Sequence, residues 1–594
     1  SGGQPAVTYA GIPMVTSVVN TSPGAVSLGG MYGAPDTGGT PISISGQGFS
    51  DALPPVVFSD YDSPFSFGTQ YTATINSDTS VSTQTVQQNP AIVDVQLCTV
   101  TGCSLNPPSD LLVLYPSGNP VVDSISPSVG SPAGGTQVTI NGENLGCLIG
   151  VSFGSVSAAS FTNQQAILDC GQTYQAQVTA PPGAAGSTVP VTVTTLESLY
   201  SGYGPSAVNP NAEFTYQASA YQALPPTRIL DTRITHQTLG ANGMLNLTVT
   251  GGEVPADATA VALNVTATNT TAPSYLSVYP TGSAIPTVSN LNWMGGQTVA
   301  NLVIVPVGAN GQVTFYNSQG STDVVVDLQG YFAPEAASGP IGGYVPLTPA
   351  RITDTRAGSG EPNAGHTLSA GSVLNVVVAG AGGVPSGGVM AAVLNVTATN
   401  TTQASYLTVY PQGSTRPTAS DLNWVAGETR ANRVIVPVNP ITGEVSIYNA
   451  NGSADVVVDV DGYFTANNTT VAHETLYTPV TPTRAVDTRV TGTPLGAGQI
   501  FVASMAGQNG VGVNATAVVA NITAVNTTAA SYFTVYPGLS LPLASDVNWS
   551  AGQVVPNLTI AALNGSGSFN VYNANGSADL LVDVFGYFTP VPVP

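Results

Sequence analysis

The sequence predicts an all-β chain built as five tandem β-sandwich domains, and three observations carry that expectation. Gly 66 and Pro 46 in 594 residues, with abundant Thr, Ser, Val and Asn, suit many short strands joined by tight turns. The stretch DVVVDLQGYF (Asp323 to Phe332) returns as DVVVDVDGYF (Asp455 to Phe464) and as DLLVDVFGYF (Asp579 to Phe588). It closes three units that open on PTRILDTR (Pro226 to Arg233), PARITDTR (Pro349 to Arg356) and PTRAVDTR (Pro482 to Arg489). Inside each unit apolar and polar residues alternate with period two, the pattern of strands that bury one face.

Composition narrows the role. Only 7% of residues are charged, yet the net charge is −22, because 31 acids face nine Arg and Lys is absent. Such a balance repels nucleic acid and anionic membrane, which both call for clustered cations. All nine Arg follow residue 220, and 12 of the acids precede it, so the two parts of the chain differ in kind. Four Cys lie before residue 171 and pair by proximity as Cys98–Cys103 and Cys147–Cys170, which suits an oxidising compartment, with free thiols as the alternative. The chain begins at Ser1 without a charged-then-apolar leader, so a removed secretion signal is expected, and no apolar run reaches the length of a membrane span. The expected location is secreted, extracellular or at the cell surface.

Residues 1–13 form an uncharged N-terminal extension. It reads as a donor strand for another subunit or, together with Met14 onward, as an edge strand of the domain that follows. Two domains then share one punctuation, at 14–117 and 118–217. In the second, ISPSVGSPAGGTQVTINGENL (Ile125 to Leu145) runs strand, Pro-Gly turn, Gly-Gly-Thr, alternating strand and Gly-x-Asn turn. This stretch resembles the IPT/TIG family of immunoglobulin-like domains, and residues 14–117 resemble it more loosely. The resemblance implies a spacer or binding module without catalytic residues of its own. Asp60 and Asp62 are two acids without further spaced ligands and read as a solvated turn rather than a calcium site.

The three repeats span 221–334, 344–465 and 475–590. Each carries LNVTATNTT or ANITAVNTT, then SYxxVYP, a lone Trp and a VYN-type strand, which makes eight or nine strands and fits a jelly roll. Units of this length are too long for propeller blades or trefoil units. The DTR and VDVxGYF signatures resemble a repeat found in tandem in secreted and surface proteins of actinobacteria and their relatives. That resemblance implies extracellular placement and brings no activity.

Six Arg sit in the opening motifs: Arg228, Arg233, Arg351, Arg356, Arg484 and Arg489. Alternation puts Asp327, Asp459 and Asp583 on strand faces where a buried carboxylate needs a fixed partner, and a guanidinium supplies two parallel hydrogen bonds. The expectation is a latch from the first strand to the last, with Asp231, Asp354 and Asp487 between the paired Arg. An Arg-Asp-Arg site for a sulfate or sugar acid is the alternative. Trp293, Trp424 and Trp549 are candidate platforms for sugar rings, against the alternative of core packing.

His236, His366 and His473 occupy non-equivalent places, and neither a spaced metal cluster nor a nucleophile with a base is present. No enzyme activity and no cofactor are expected. Many Asn-x-Ser/Thr sequons occur, among them Asn264, Asn269, Asn395, Asn400, Asn521 and Asn526. The expected function is an extracellular structural protein, a subunit of a surface filament, sheath or layer that self-assembles through β contacts. The alternative is a glycan-binding adhesin on an IPT/TIG stalk, with surface glycans as partners.

Overall fold

The computed structural model describes residues 12–590 except 23–24, 26, 29–30, 36, 61–68, 88–90, 100–101, 105–110, 116–118, 131, 133, 147, 159, 163–173, 184–186, 196–197, 199–204, 335–341, 467–473 and 539. The chain is all-β and divides into two compact units, one drawn from residues before Tyr216 and one dominated by Tyr216–Pro594. Among the described residues no helix is long and apolar enough to cross a membrane.

The first unit holds two sandwiches of one plan. In the first, Met14–Asn20, Gly38–Gln47, Ser80–Val86 and Thr74–Ser77 form one sheet in that order. Met31–Pro35, Leu111–Tyr115, Ala91–Thr99 and Leu53–Asp60 are neighbours in the other. Alternate residues from both sheets, among them Val18, Ile42, Ile44, Val93, Val95 and Leu112, meet in the core. The second sandwich repeats the order with Val121–Ser126, Gln137–Glu143, Gln175–Thr179 and Ser160–Phe161, against Glu213–Tyr216, Thr188–Thr195, Leu148–Phe153 and Val156–Ser157. Met14–Asn20 pairs antiparallel with Gly38–Gln47 of the same chain, the edge-strand arrangement, while residues 1–11 lie outside the described residues. Cys98 and Cys103 form a disulfide across a hairpin. The pairing of Cys147 with Cys170 falls outside the described residues, as does Asp62.

In the second unit each repeat is a jelly roll. The first repeat runs β1 (Ser219–Asp231), β2 (Gly243–Thr248), β3 (Ala260–Thr268), β4 (Ser274–Pro280), β5 (Leu291–Trp293), β6 (Val299–Pro306), β7 (Gln312–Asn317) and β8 (Asp323–Pro334). One sheet has the order β1-β8-β3-β6 and the other β2-β7-β4-β5, the arrangement of two interlocked Greek keys. The other repeats reproduce it, with opening strands Tyr344–Asp354 and Thr475–Asp487 beside closing strands Asp455–Thr465 and Asp579–Pro590. Each repeat encloses its own apolar core.

The three jelly rolls close around a pseudo-threefold axis. Phe332, Phe464 and Phe588, from the three GYF motifs, stand 6.1, 6.2 and 6.3 Å apart between ring centroids. Each stacks on a tyrosine from another repeat: Phe464 on Tyr221 at 4.3 Å, Phe332 on Tyr477 at 4.3 Å and Phe588 on Tyr344 at 4.7 Å. The glycine of the motif is required by the tyrosine of its own repeat. A Cβ on Gly330 or Gly462 would lie 2.3 Å from the Tyr221 or Tyr344 hydroxyl, and one on Gly586 would lie 2.4 Å from the Tyr477 ring. The hydroxyls of Tyr221, Tyr344 and Tyr477 instead donate to the carbonyls of Gln329, Asp461 and Phe585. Those three residues are bulged in the closing strands, because the register with the neighbouring strand shifts there by one residue. Alternation in the closing strands suggests one buried face, but Val324, Val325, Val326 and Asp327 are all buried, because the second face packs toward the neighbouring repeats.

Candidate functional site

The charged motifs are built at the first-to-last strand pairing. Arg228 lies opposite Asp327 in the strand register, Arg351 opposite Asp459 and Arg484 opposite Asp583. Arg228 donates Nε at 2.6 Å and Nη2 at 3.2 Å to the two Asp327 oxygens, and Nη1 at 3.4 Å to Asp231. Asp231 in turn accepts from Arg233 Nε at 2.8 Å and Nη2 at 2.6 Å. Arg351, Asp354, Arg356 and Asp459 repeat this zigzag, and so do Arg484, Asp487, Arg489 and Asp583. Burial pushes the carboxyls of Asp327, Asp459 and Asp583 upward against the pull of their Arg partners, Asp583 to about 6. Hydrogen bonds from Arg233 and Arg489 hold Asp231 and Asp487 below the ordinary carboxylate range. Every inner guanidinium thus spends its donors on protein, and Arg228 and Arg484 also reach across a seam to the carbonyls of Thr418 and Thr287.

Sequence reasoning missed the seams between repeats. Asn264 donates to the Ser420 carbonyl, Asn395 to that of Ser545 and Asn521 to that of Ser289, so the first repeat grips the second, the second the third and the third the first. Asn432, Asn557 and Asn301 donate to those same asparagines at 2.9, 2.9 and 3.0 Å. A ring in which each member presents one surface and receives another closes on itself. Asn264, Asn395 and Asn521 head sequons but are buried here, where no glycan fits. Asn269, Asn400 and Asn526 donate to Asp323, Asp455 and Asp579, the first residue of each closing strand.

At the bulge the three seams differ. Gln329 donates to Asp421 at 2.9 Å. Asp461 and Asp546 flank Arg433, whose side chain is 0% exposed. Phe585 takes the same place in the third repeat, and Asn290 of the first repeat is the equivalent of Asp421 and Asp546. Burial pushes Asp421 up to about 7 and raises Asp461 and Asp546 as well, with Arg433 opposing the last two. A cavity of about 20 Å³ near this end, lined by Asn292, Asn423 and Arg430 among others, has room for little more than one water.

Trp293, Trp424 and Trp549 are each 4% exposed and pack in the cores of their repeats. An indole buried to that degree offers no face to a sugar, so of the two readings of these residues the structure supports core packing and not a sugar platform. Aromatic faces stand elsewhere. Along β4, Leu276 and Val278 enter the core, so Tyr275 and Tyr279 point to the opposite face, where Tyr316 of β7 joins them. Tyr275 and Tyr316 are half-buried, with centroids 6.4 Å apart, and Tyr406 and Tyr448 reproduce the pair at 6.4 Å. Tyr532 and Tyr572 hold the same places in the third repeat and are also half-buried. Hydrogen-bonding groups surround the rings: Tyr316 Oη donates to Asn242, Thr314 to Asn246 and Ser446 to Asn375. Weakly charged aromatic surface ringed by amides and hydroxyls can stack on a pyranose and bond its hydroxyls.

His236 and His366 are exposed and unrelated in position, and His473 lies outside the described residues. Among the described residues no group of three or more His, Cys, Asp and Glu is placed to hold a metal.

Residues 120–208 match the IPT/TIG domain family. No curated protein matches the chain. Similar solved structures include SGBP-B from a complex xyloglucan utilization locus in Bacteroides uniformis, at 13% identity and TM-score 0.19, covering 55% of this chain and 100% of that one. A surface glycan-binding protein from Prevotella bryantii is similar at 10% identity and TM-score 0.20, covering 55% of this chain and 99% of the other. A triple jelly roll protein of an archaeal virus is similar at 10% identity and TM-score 0.15, over 63% of this chain and 90% of that one.

Proposed function

We propose that this chain is an extracellular glycan-binding protein, with the three-repeat unit as the binding body and the immunoglobulin-like unit as spacer. The observation that carries the reading is the half-buried tyrosine pair on the non-core face of the β2-β7-β4-β5 sheet, present at 6.4 Å in two repeats and by position in the third. Rigid aromatic side chains bring contact area at low entropic cost, and the asparagines and threonines beside them suit sugar hydroxyls. The surplus of acids disfavours nucleic acid and anionic lipid. In each repeat the paired Arg and Asp act as an internal latch, so six of the nine cations are committed to these motifs. The Cys98–Cys103 disulfide suits an oxidising location.

A glycan array probed with the purified chain tests this. Retention on at least one class of neutral oligosaccharide, lost when Tyr275, Tyr406 and Tyr532 are changed together to Ala, supports the reading. A folded chain that binds none of the array sinks it.

Assembly into a filament, sheath or layer is the second reading. It is favoured by the edge strands Val373–Val377 and Ile500–Ser504, which expose Val373, Val377, Ile500 and Val502. Electron microscopy of the purified chain separates the two, since regular polymers would favour assembly and dispersed particles the binding role.

A further inference from the structure

Eight of the nine guanidiniums have a carboxylate partner: those of Arg228, Arg233, Arg351, Arg356, Arg430, Arg433, Arg484 and Arg489. Arg416 has no ion-pair partner among the described residues. It is exposed, and its guanidinium lies 3.8 Å above the ring of Tyr448, one member of the second repeat's tyrosine pair. A guanidinium held over a ring face by its carbon can still turn N–H donors outward, in the fork geometry that a carboxylate accepts.

The segment that carries Arg416 is held at both ends. Ser414 Oγ donates to the Pro411 carbonyl, and the carbonyls of Thr418 and Ser420 accept from Arg228 and Asn264 of the first repeat. The guanidinium is therefore pre-positioned rather than free to sweep through solvent. By sequence the same place is taken by Ile285 in the first repeat and Leu541 in the third, 44% and 46% exposed. One platform in three is thus cationic and the other two are edged by an aliphatic side chain.

We infer that the Arg416–Tyr448–Tyr406 surface is a subsite for a carboxylated sugar, while the platforms of the first and third repeats take neutral ones. The inference rests on the glycan-binding reading and adds the ligand class of one site. Tyr406 supplies the stacking face, and Arg416 meets the carboxylate through paired, charge-assisted hydrogen bonds.

The test uses the full chain and an array of uronate-bearing oligosaccharides, each printed beside its methyl ester, with neutral oligosaccharides alongside. Wild type should prefer the acid over its ester by roughly tenfold at low salt, the order expected for one hydrogen-bonded charge. The preference should shrink at high ionic strength. In Arg416→Ile, which installs the first repeat's residue at an exposed position, the ratio of acid to ester should fall to about one. Equal binding of acid and ester by wild type, or a preference that survives Arg416→Ile, overturns the inference and leaves neutral binding to stand on its own. Binding to neither acid, ester nor neutral sugar removes the glycan-binding reading and this inference with it.

Discussion

Arg433 donates to Asp461 within its own repeat and to Asp546 of the next, and its guanidinium has no exposed surface. One cation between two carboxylates fastens the second jelly roll to the third, at the place where the other seams carry Gln329 with Asp421 and Phe585 with Asn290.

Arg433→Leu places there the residue that Leu302 and Leu558 provide in the other repeats. The change strands two buried carboxylates, and breaking a buried pair from one side costs about 3–5 kcal/mol. A denaturant melt should show a loss of that size. The triple change Arg433→Leu, Asp461→Gln, Asp546→Asn copies the neutral residues of the first repeat and should recover most of it. A single variant as stable as wild type would refute the fastening role.

The latches should differ in strength with their burial. The side chain of Arg351 is 8% exposed and that of Arg228 is 25% exposed. Asp459→Ala should therefore destabilise more than Asp327→Ala, by about 3 kcal/mol against a smaller loss in which water takes over part of the Arg228 hydrogen bonding. Calorimetry of the two variants decides it, and equal or reversed losses contradict the burial argument.

Stability should fall toward alkaline pH. Asp421 accepts from the Val409 N–H at 2.7 Å and from Gln329, and burial lifts it to about 7. A carboxyl whose pKa is raised in the folded state binds its proton more tightly folded than unfolded. Its contribution is present below the ordinary carboxylate range and is lost as pH climbs through about 7. Asp231 and Asp487, held low by Arg233 and Arg489, act oppositely and weaken the fold in strong acid. The melting temperature should therefore peak on the acid side of neutrality. Asp421→Asn, which copies Asn290, should flatten the alkaline limb, and an unchanged limb would exclude Asp421 as its source.

The three jelly rolls and the Arg-to-Asp register were legible in the sequence for separate reasons. Three aligned copies expose every strand, and in a chain with nine cations the six Arg of the opening motifs had few possible partners. The ring was not legible, because closure depends on side chains that alternation treats as ordinary. Asn264 and Asn301 read as sequon and strand residues, although both are buried at a seam. The signal that could have found it is the run NLVIVP, apolar on both faces, as strands covered on both sides are. Trp293 left two readings open, because an aromatic residue amid apolar neighbours is the same letter in a core and in a binding cleft, and its burial decides for the core. The tyrosine platforms were hidden by the reverse error, since SYLSVYP reads as plain alternation until β7 brings Tyr316 beside Tyr275.

The most direct measurement is the affinity of the strongest array ligand for wild type and for the Tyr275→Ala, Tyr406→Ala, Tyr532→Ala triple variant, by calorimetric titration. All three side chains lie outside the cores, so the melting temperature should hold while affinity drops by at least roughly tenfold. Undiminished affinity in the folded triple variant would contradict the account, because the sugar would then be bound somewhere other than the tyrosine faces.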